Sequence, residues 1–198
     1  MRVGIFGGTF NPPHVGHVRA AESFAREAVL DKLLIIPAAS PPHKEYSGTV
    51  SAEERLEMCR LAFSHIECAE VSDLEILRGG RSYTVDTLTA LAKEGVELYF
   101  LCGTDMFLTM DSWYMPEKIF SLSKIAYIRR EDDAENMQKL KDAALRYADK
   151  YGAECLCIDA EVTEISSTEI RESLAEGNDC SLIPQSVLGY IKERGLYK

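Results

Sequence analysis

Residues 2–37 read RVGIFGGTFNPPHVGHVRAAESFAREAVLDKLLIIP, and this stretch decides the fold. Arg2 to Phe6 is a short β-rich run that stops at Gly7-Gly8. His17 to Val29 is helical in pattern, with Val18, Ala21, Ala25 and Ala28 recurring on one face at helical steps. Lys32 to Pro37 is apolar almost throughout, as expected of a strand buried on both faces in a parallel sheet. Strand, helix and strand follow one another within a span that suits one crossover unit.

The alternation continues along the chain. Ser51 with Glu54 three residues on forms a capping box and opens a helix to about Ser64. Cys68 to Ile76 is strand-like, Arg78-Gly79-Gly80-Arg81 is a turn, and Tyr83 to Glu94 is a helix closed by Gly95. Strands are expected at Val96 to Cys102, Lys124 to Arg129 and Glu154 to Asp159, with a long amphipathic helix over Ala134 to Tyr151. From Ser166 the pattern is helical: Thr168 to Glu176, then a run opened by Pro184 and ending at Arg194. The pattern calls for an α/β doubly wound, mostly parallel sheet, a Rossmann-like arrangement with a small helical C-terminal part over 165–198. One domain, 1–198, is the expectation for this length. Ligands of such sheets sit at the carboxyl ends of the strands, so the loops after Phe6, Pro37, Cys102 and Asp159 should converge.

Composition excludes several classes. Lys and Arg number 22 against 32 Asp and Glu, a net charge of −10, which disfavours a nucleic-acid partner. The longest apolar stretch, Leu33 to Ala39, falls short of a membrane span, and the N-terminal apolar run is too short for a signal peptide. A cytoplasmic protein is expected. Six cysteines are too sparse for a disulfide scaffold, and Cys155-x-Cys157 lacks zinc spacing. No protein-held metal site is expected.

The chemistry gathers in the loops. In Gly7-Gly8-Thr9-Phe10-Asn11-Pro12-Pro13-His14-Val15-Gly16-His17, the glycines let backbone approach a ligand. His14 and His17, three apart at a helix start, can turn both imidazoles to one side as donors to phosphate oxygens. No Gly-Lys-Ser/Thr follows, and the spacing is not G-x-G-x-x-G, which argues against P-loop NTPases and Rossmann dehydrogenases. Ser166 and Glu169 form a second capping box, with Ser167 and Thr168 in its first turn and Arg171 adding a planar cation. Asp105 after Gly103-Thr104 suits either a ribose or a helix cap. Trp113, among Asp111, Ser112 and Tyr114, has polar neighbours that suit a stacking platform better than a core position.

GGTFNPPHVGH resembles the signature of the nucleotidylyltransferases with an H-x-G-H element, in the form typical of bacterial nicotinate-mononucleotide adenylyltransferases. The resemblance extends over Pro41-Pro42-His43-Lys44, Ser82 to Leu88, Gly103-Thr104-Asp105, Ser112-Trp113-Tyr114 and Ile165 to Arg171. It implies transfer of an adenylyl group from ATP to nicotinate mononucleotide in NAD biosynthesis, with Mg²⁺ carried by ATP and no covalent enzyme intermediate. His14, His17, Lys44 and Arg171 are then the catalytic set. ATP would be held by Gly7, Gly8, Thr9, Phe10, His14, His17, Gly103, Asp105, Ser166, Ser167, Thr168 and Arg171. Nicotinate mononucleotide would meet Thr9, Asn11, Lys44, Tyr83, Thr84, Trp113 and Tyr114. A homo-oligomer is compatible with the resemblance. Phosphopantetheine adenylyltransferase shares H-x-G-H, but Asn11-Pro12-Pro13 and Ser82 to Leu88 argue against it. A non-catalytic nucleotide sensor would be expected to lack one of the cationic or imidazole groups, and all are present.

Overall fold

The computed structural model describes residues 1–40, 50–129, 134–160, 166–178 and 180–198. Six parallel strands form one sheet: β1 (Arg2–Gly8), β2 (Lys32–Pro37), β3 (Ala69–Val71), β4 (Glu97–Cys102), β5 (Ser123–Arg129) and β6 (Cys155–Asp159). Their spatial order is β3-β2-β1-β4-β5-β6. β1 therefore lies between β2 and β4, and the direction of winding reverses there. That is the crevice the topology reserves for a ligand.

The central strands β1, β2 and β4 bury both faces. On one face Phe6, Leu33, Ile35 and Leu101 pack with α1 (Val15–Glu27), α2 (Ala52–Phe63) and α9 (Gln185–Arg194). Val3, Ile5, Leu34, Ile36 and Phe100 point the other way, against α4 (Thr84–Leu91), α6 (Pro116–Leu122) and α7 (Ala134–Tyr151). Neighbouring residues of one strand thus serve opposite cores, as the period of two demands. Gly4 is what lets α1 lie close to β1. A Cβ there would come within 2.9 Å of the Phe24 ring and nearer still to Leu30. The C-terminal segment adds α8 (Ser167–Ala175) and α9, and Ile170, Val187 and Ile191 join the same core as α1 and α2.

Expectation and structure part in four places. α4 ends at Leu91, where Ala92 turns extended, short of the expected Glu94 and Gly95. The expected strand Cys68 to Ile76 is β3 for three residues, and Leu74–Arg78 is a short helix, α3. The pairing runs Leu33 N to Cys68 O and Ser72 N to Ile35 O, both about 2.9 Å. The next rung would need an N–H from residue 37, and a proline has none. Between Cys102 and β5 the chain forms α5 (Thr104–Leu108), a 3₁₀ turn at Met110–Ser112 and α6, none of which showed a helical period. Pro116 at the start of α6 was the available signal. Finally, α1 starts at Val15 rather than His17, because His14 caps it.

Candidate active site

The carboxyl ends of β1, β2 and β4 open on a cavity of about 370 Å³, lined by Gly7, Gly8, Thr9, His17, Ala38, Thr84, Gly103 and Trp113 among others. Its size falls in the range of small-molecule sites. The strand exits are tied together, since Ala38 N donates to Gly8 O at 2.9 Å.

His14 sits in extended backbone at the N-cap of α1. Its Nδ1 accepts from His17 N at 3.4 Å, and His17 Nδ1 accepts from His14 N at 3.2 Å. The pair is a capping box built from imidazoles instead of Ser and Glu. The rings lie 3.7 Å apart at 30°. Because each Nδ1 is an acceptor, the proton of each neutral ring belongs on Nε2. Two N–H donors are left for a ligand. Burial pushes His14 down to about 4, and burial with the neighbouring His14 holds His17 well below the usual imidazole value. Both rings are held in the neutral form at pH 7, so they offer donors and not cations.

Phe10 departs from its expected part. Its ring is 2% exposed and packs edge-on to Phe6, His17 and Phe63 at 5.1 to 5.8 Å. A φ of 48° turns the side chain under the loop, and Phe10 stands outside the cavity lining. Asn11 departs as well. Its Oδ1 accepts from the Tyr197 hydroxyl at 2.6 Å, and its carbonyl accepts from Arg171 Nη1 at 2.9 Å. The side-chain oxygen is turned to the C-terminal segment, away from the cavity.

The second motif docks beside the first. Ser166 caps α8, with Glu169 returning the bond. The Ser167 hydroxyl lies 3.5 Å from Pro12 O, and Arg171 Nη2 donates to the Thr168 hydroxyl at 3.1 Å. Arg171 is thus a brace between α8 and the Asn11 loop, where the sequence reading placed it on phosphate. Nη1 alone reaches the carbonyls of Asn11 and Ser167, which leaves Nη2 for the Thr168 hydroxyl.

The opposite wall is the start of α4. Thr84 is its first residue and lines the cavity. Tyr83 supplies no side-chain cap, and the Ser82 hydroxyl is turned away to accept from Ala39 N at 3.0 Å. Trp113 is half-buried, edge-on to Phe100 at 6.1 Å, and borders the cavity. Its turn is anchored from α7, where Arg146 Nε donates to Asp111 at 3.3 Å and the Tyr147 hydroxyl donates to Phe107 O at 2.7 Å. Tyr114 is exposed and packs on Tyr83 at 4.9 Å. Asp105 is exposed in the first turn of α5, outside the cavity lining. Lys44 and His43 lie outside the described residues, as do residues 161–165.

Sequence reasoning missed two buried ionic groups at the cavity. Glu75 lines it and accepts from the Thr87 hydroxyl at 2.5 Å, which joins α3 to α4. Arg55 lies beneath the loops after β1 and β2, and donates to Thr9 O and Ala38 O at 2.8 and 2.7 Å. A signal for it existed. Arg55 occupies the stripe that Cys59, Ala62 and Phe63 bury, where a charge is out of pattern. Among the described residues, no three His, Cys, Asp or Glu side chains group as metal ligands, and no helix is long and apolar enough to cross a membrane.

Residues 5–173 match the family model described as cytidylyltransferase-like. A probable nicotinate-nucleotide adenylyltransferase of Desulfatibacillum aliphaticivorans is 38% identical, with all of both chains covered. One of Desulfitobacterium hafniense is 40% identical, covering 100% of this chain and 96% of its own. Among solved structures, the Plasmodium falciparum nicotinic acid mononucleotide adenylyltransferase complexed with APC superposes with a TM-score of 0.75 at 19% identity, covering 99% of this chain and 96% of that one. The same protein complexed with NaAD gives 0.75 at 18%, covering 99% and 97%. Those two show the fold, and the closer bacterial relatives show the kinship: the chain belongs to the cytidylyltransferase-like family, among its nicotinate-nucleotide adenylyltransferases.

Proposed function

We propose that this chain joins ATP, as its Mg²⁺ complex, to nicotinate mononucleotide, giving nicotinate adenine dinucleotide and pyrophosphate. The observation that carries the reading is the His14–His17 pair, two imidazoles with Nε2–H donors in one cluster beside the glycine loop. The mononucleotide phosphate is already an anion and attacks the ATP α-phosphorus in line, so no protein nucleophile is needed. The protein's work is positioning and charge stabilisation. His14 and His17 donate to the phosphate oxygens through the transition state. Negative charge arriving beside them offsets their burial and favours the imidazolium form. Lys44 and Arg171 supply fixed positive charge toward the departing pyrophosphate, Arg171 from its place against Asn11. Thr9 and the first turn of α8 complete the phosphate contacts. Gly103 gives the nucleotide close backbone approach, and Asp105 is placed to accept from ribose hydroxyls. Trp113 stacks on the pyridine ring, while the Thr84 backbone, next to Tyr83, meets its carboxylate. A soluble, cytoplasmic setting fits such a reaction.

The test is pyrophosphate release from ATP and Mg²⁺, with nicotinate mononucleotide, nicotinamide mononucleotide and phosphopantetheine offered separately. Release with the first, far above the other two, is expected. Release only with phosphopantetheine, or with none of them, overturns the reading.

A further inference from the structure

Arg55 is an unusual residue to find where it is. It projects from the first turns of α2 and is 1% exposed. Desolvating a guanidinium is expensive, and a chain keeps one buried only where its hydrogen bonds are worth that expense. Its two terminal nitrogens donate to backbone carbonyls of two loops. Nη1 donates to Thr9 O at 2.8 Å, and Nη2 donates to Ala38 O at 2.7 Å and reaches Ala39 O at 3.5 Å. Thr9 follows β1 and Ala38 follows β2, so one planar group spans the two strand exits.

The same two loops form the floor and one side of the cavity, with Thr9 and Ala38 both lining it. The connection continues beyond Arg55. Ala39 N donates to the Ser82 hydroxyl at 3.0 Å, and Ser82 N donates to Ser40 O at 3.0 Å. Ser82 stands two residues before Thr84, the first residue of α4. An unbroken series of bonds thus runs from the glycine loop, through Arg55, to the opposite wall. We infer that Arg55 is a positioning residue for adenylyl transfer: its guanidinium sets the separation between the Thr9 loop and the Ala38–Ser82 wall, and with it the distance between the two bound substrates. The inference rests on the adenylyl-transfer reading above.

In-line displacement makes such a strut valuable. The two reacting nucleotides are held from different loops, and a misplacement of about 1 Å can cost about 10²-fold in rate. Lysine cannot replace the arginine here. It carries the charge, but it has no planar fork to hold two carbonyls at a fixed spacing.

The test uses Arg55→Lys and Arg55→Ala in the full chain, with kcat and both KM values measured well below each variant's Tm. Arg55→Lys is expected to lose at least ~10-fold in kcat with KM for ATP changed less than kcat. In Arg55→Ala, guanidinium chloride at low millimolar concentration should restore part of kcat, where sodium chloride at equal ionic strength does not. If Arg55→Ala does not fold, Arg55→Lys alone decides. A folded Arg55→Lys with kcat within twofold of the wild type overturns the inference. So does an activity loss that disappears on cooling, because that would be stability alone. The wild type separates the two claims. An inactive wild type refutes adenylyl transfer, whereas an active wild type with an equally active Arg55→Lys refutes only the strut.

Discussion

The Tyr197 hydroxyl donates to Asn11 Oδ1 at 2.6 Å, in a buried contact that joins the C-terminal turn to the loop of the two histidines across 186 positions of the chain. Arg171 holds the carbonyl of the same asparagine, and Val15 N donates to Leu182 O at 2.9 Å. The helical C-terminal segment is therefore a clamp on the loop.

Tyr197→Phe isolates one bond of that clamp. Phenylalanine keeps the ring but leaves Asn11 Oδ1 buried without its donor, which costs about 1–3 kcal/mol. At roughly 2–4 °C per kcal/mol for a domain of this size, Tm should fall by several degrees. Thermal unfolding monitored by far-UV circular dichroism checks it. An unchanged Tm would mean that solvent or a rearranged Asn11 replaces the hydroxyl without loss.

His17→Asn separates the two tasks of the imidazole. An amide oxygen can still accept from His14 N, so the start of α1 should survive, but no N–H stands where Nε2 was. Losing one donor to developing charge typically costs ~10²–10³ in turnover. Steady-state pyrophosphate release should show that loss in kcat, with a smaller change in KM for ATP. Normal turnover in the folded variant would remove His17 from the mechanism.

Acid should destabilise the free protein through the histidine pair. His14 is near 6.5 when unfolded and about 4 when folded, its native value depressed by burial. Between those values the unfolded chain binds a proton that the native site refuses, so stability present above pH 6.5 is lost as pH falls toward 4. For His14 alone the loss is on the order of 3 kcal/mol. His14→Gln should flatten the pH dependence of denaturant midpoints between pH 6.5 and 4 relative to the wild type. Parallel curves would show that His14 carries none of the acid sensitivity.

How legible all this was in the sequence depends on the range of the interactions concerned. Strands such as Leu33 to Ile36 declare themselves, because burial on two faces leaves no polar position to mislead. The Ser51–Glu54 and Ser166–Glu169 boxes are local, and both form as read. The His14–His17 pair was equally local. What the sequence could not show is what a side chain meets from far away. Asn11 is a polar loop residue in sequence and a buried partner of Tyr197 in space. Arg171 carries a charge suited to phosphate, yet its nearest acceptors are the Asn11 carbonyl, 160 positions earlier, and the Ser167 carbonyl one turn back. The end of β3 was hidden in another way, in a missing N–H on the neighbouring strand at Pro37.

The last prediction concerns the choice between acid and amide. Thr84 N and Val85 N, the first two amides of α4, precede the helix's own bonds and lie at the positive end of its dipole, whereas Tyr83 N donates to Arg81 O and Asp86 N to Tyr83 O. The alternative use of Ser82-Tyr83-Thr84, as a simple helix cap, is not taken: Tyr83 contributes no side-chain cap, and the Ser82 hydroxyl faces Ala39 N. A carboxylate presented to these amides gains charge-assisted hydrogen bonds worth about 1.5–3 kcal/mol each, roughly twice a neutral acceptor's. The carboxamide of nicotinamide mononucleotide would also turn an NH₂ toward a donor. Trp113 can stack on either ring, so it adds affinity without discrimination. Since about 1.4 kcal/mol is a factor of ten, kcat/KM should favour nicotinate mononucleotide by at least ~100-fold. Trp113→Ala should then weaken both substrates alike and leave their ratio within a few-fold of the wild type. Equal efficiencies in the wild type would refute the selectivity, and a ratio that collapses in Trp113→Ala would move its origin from the α4 amides to the indole.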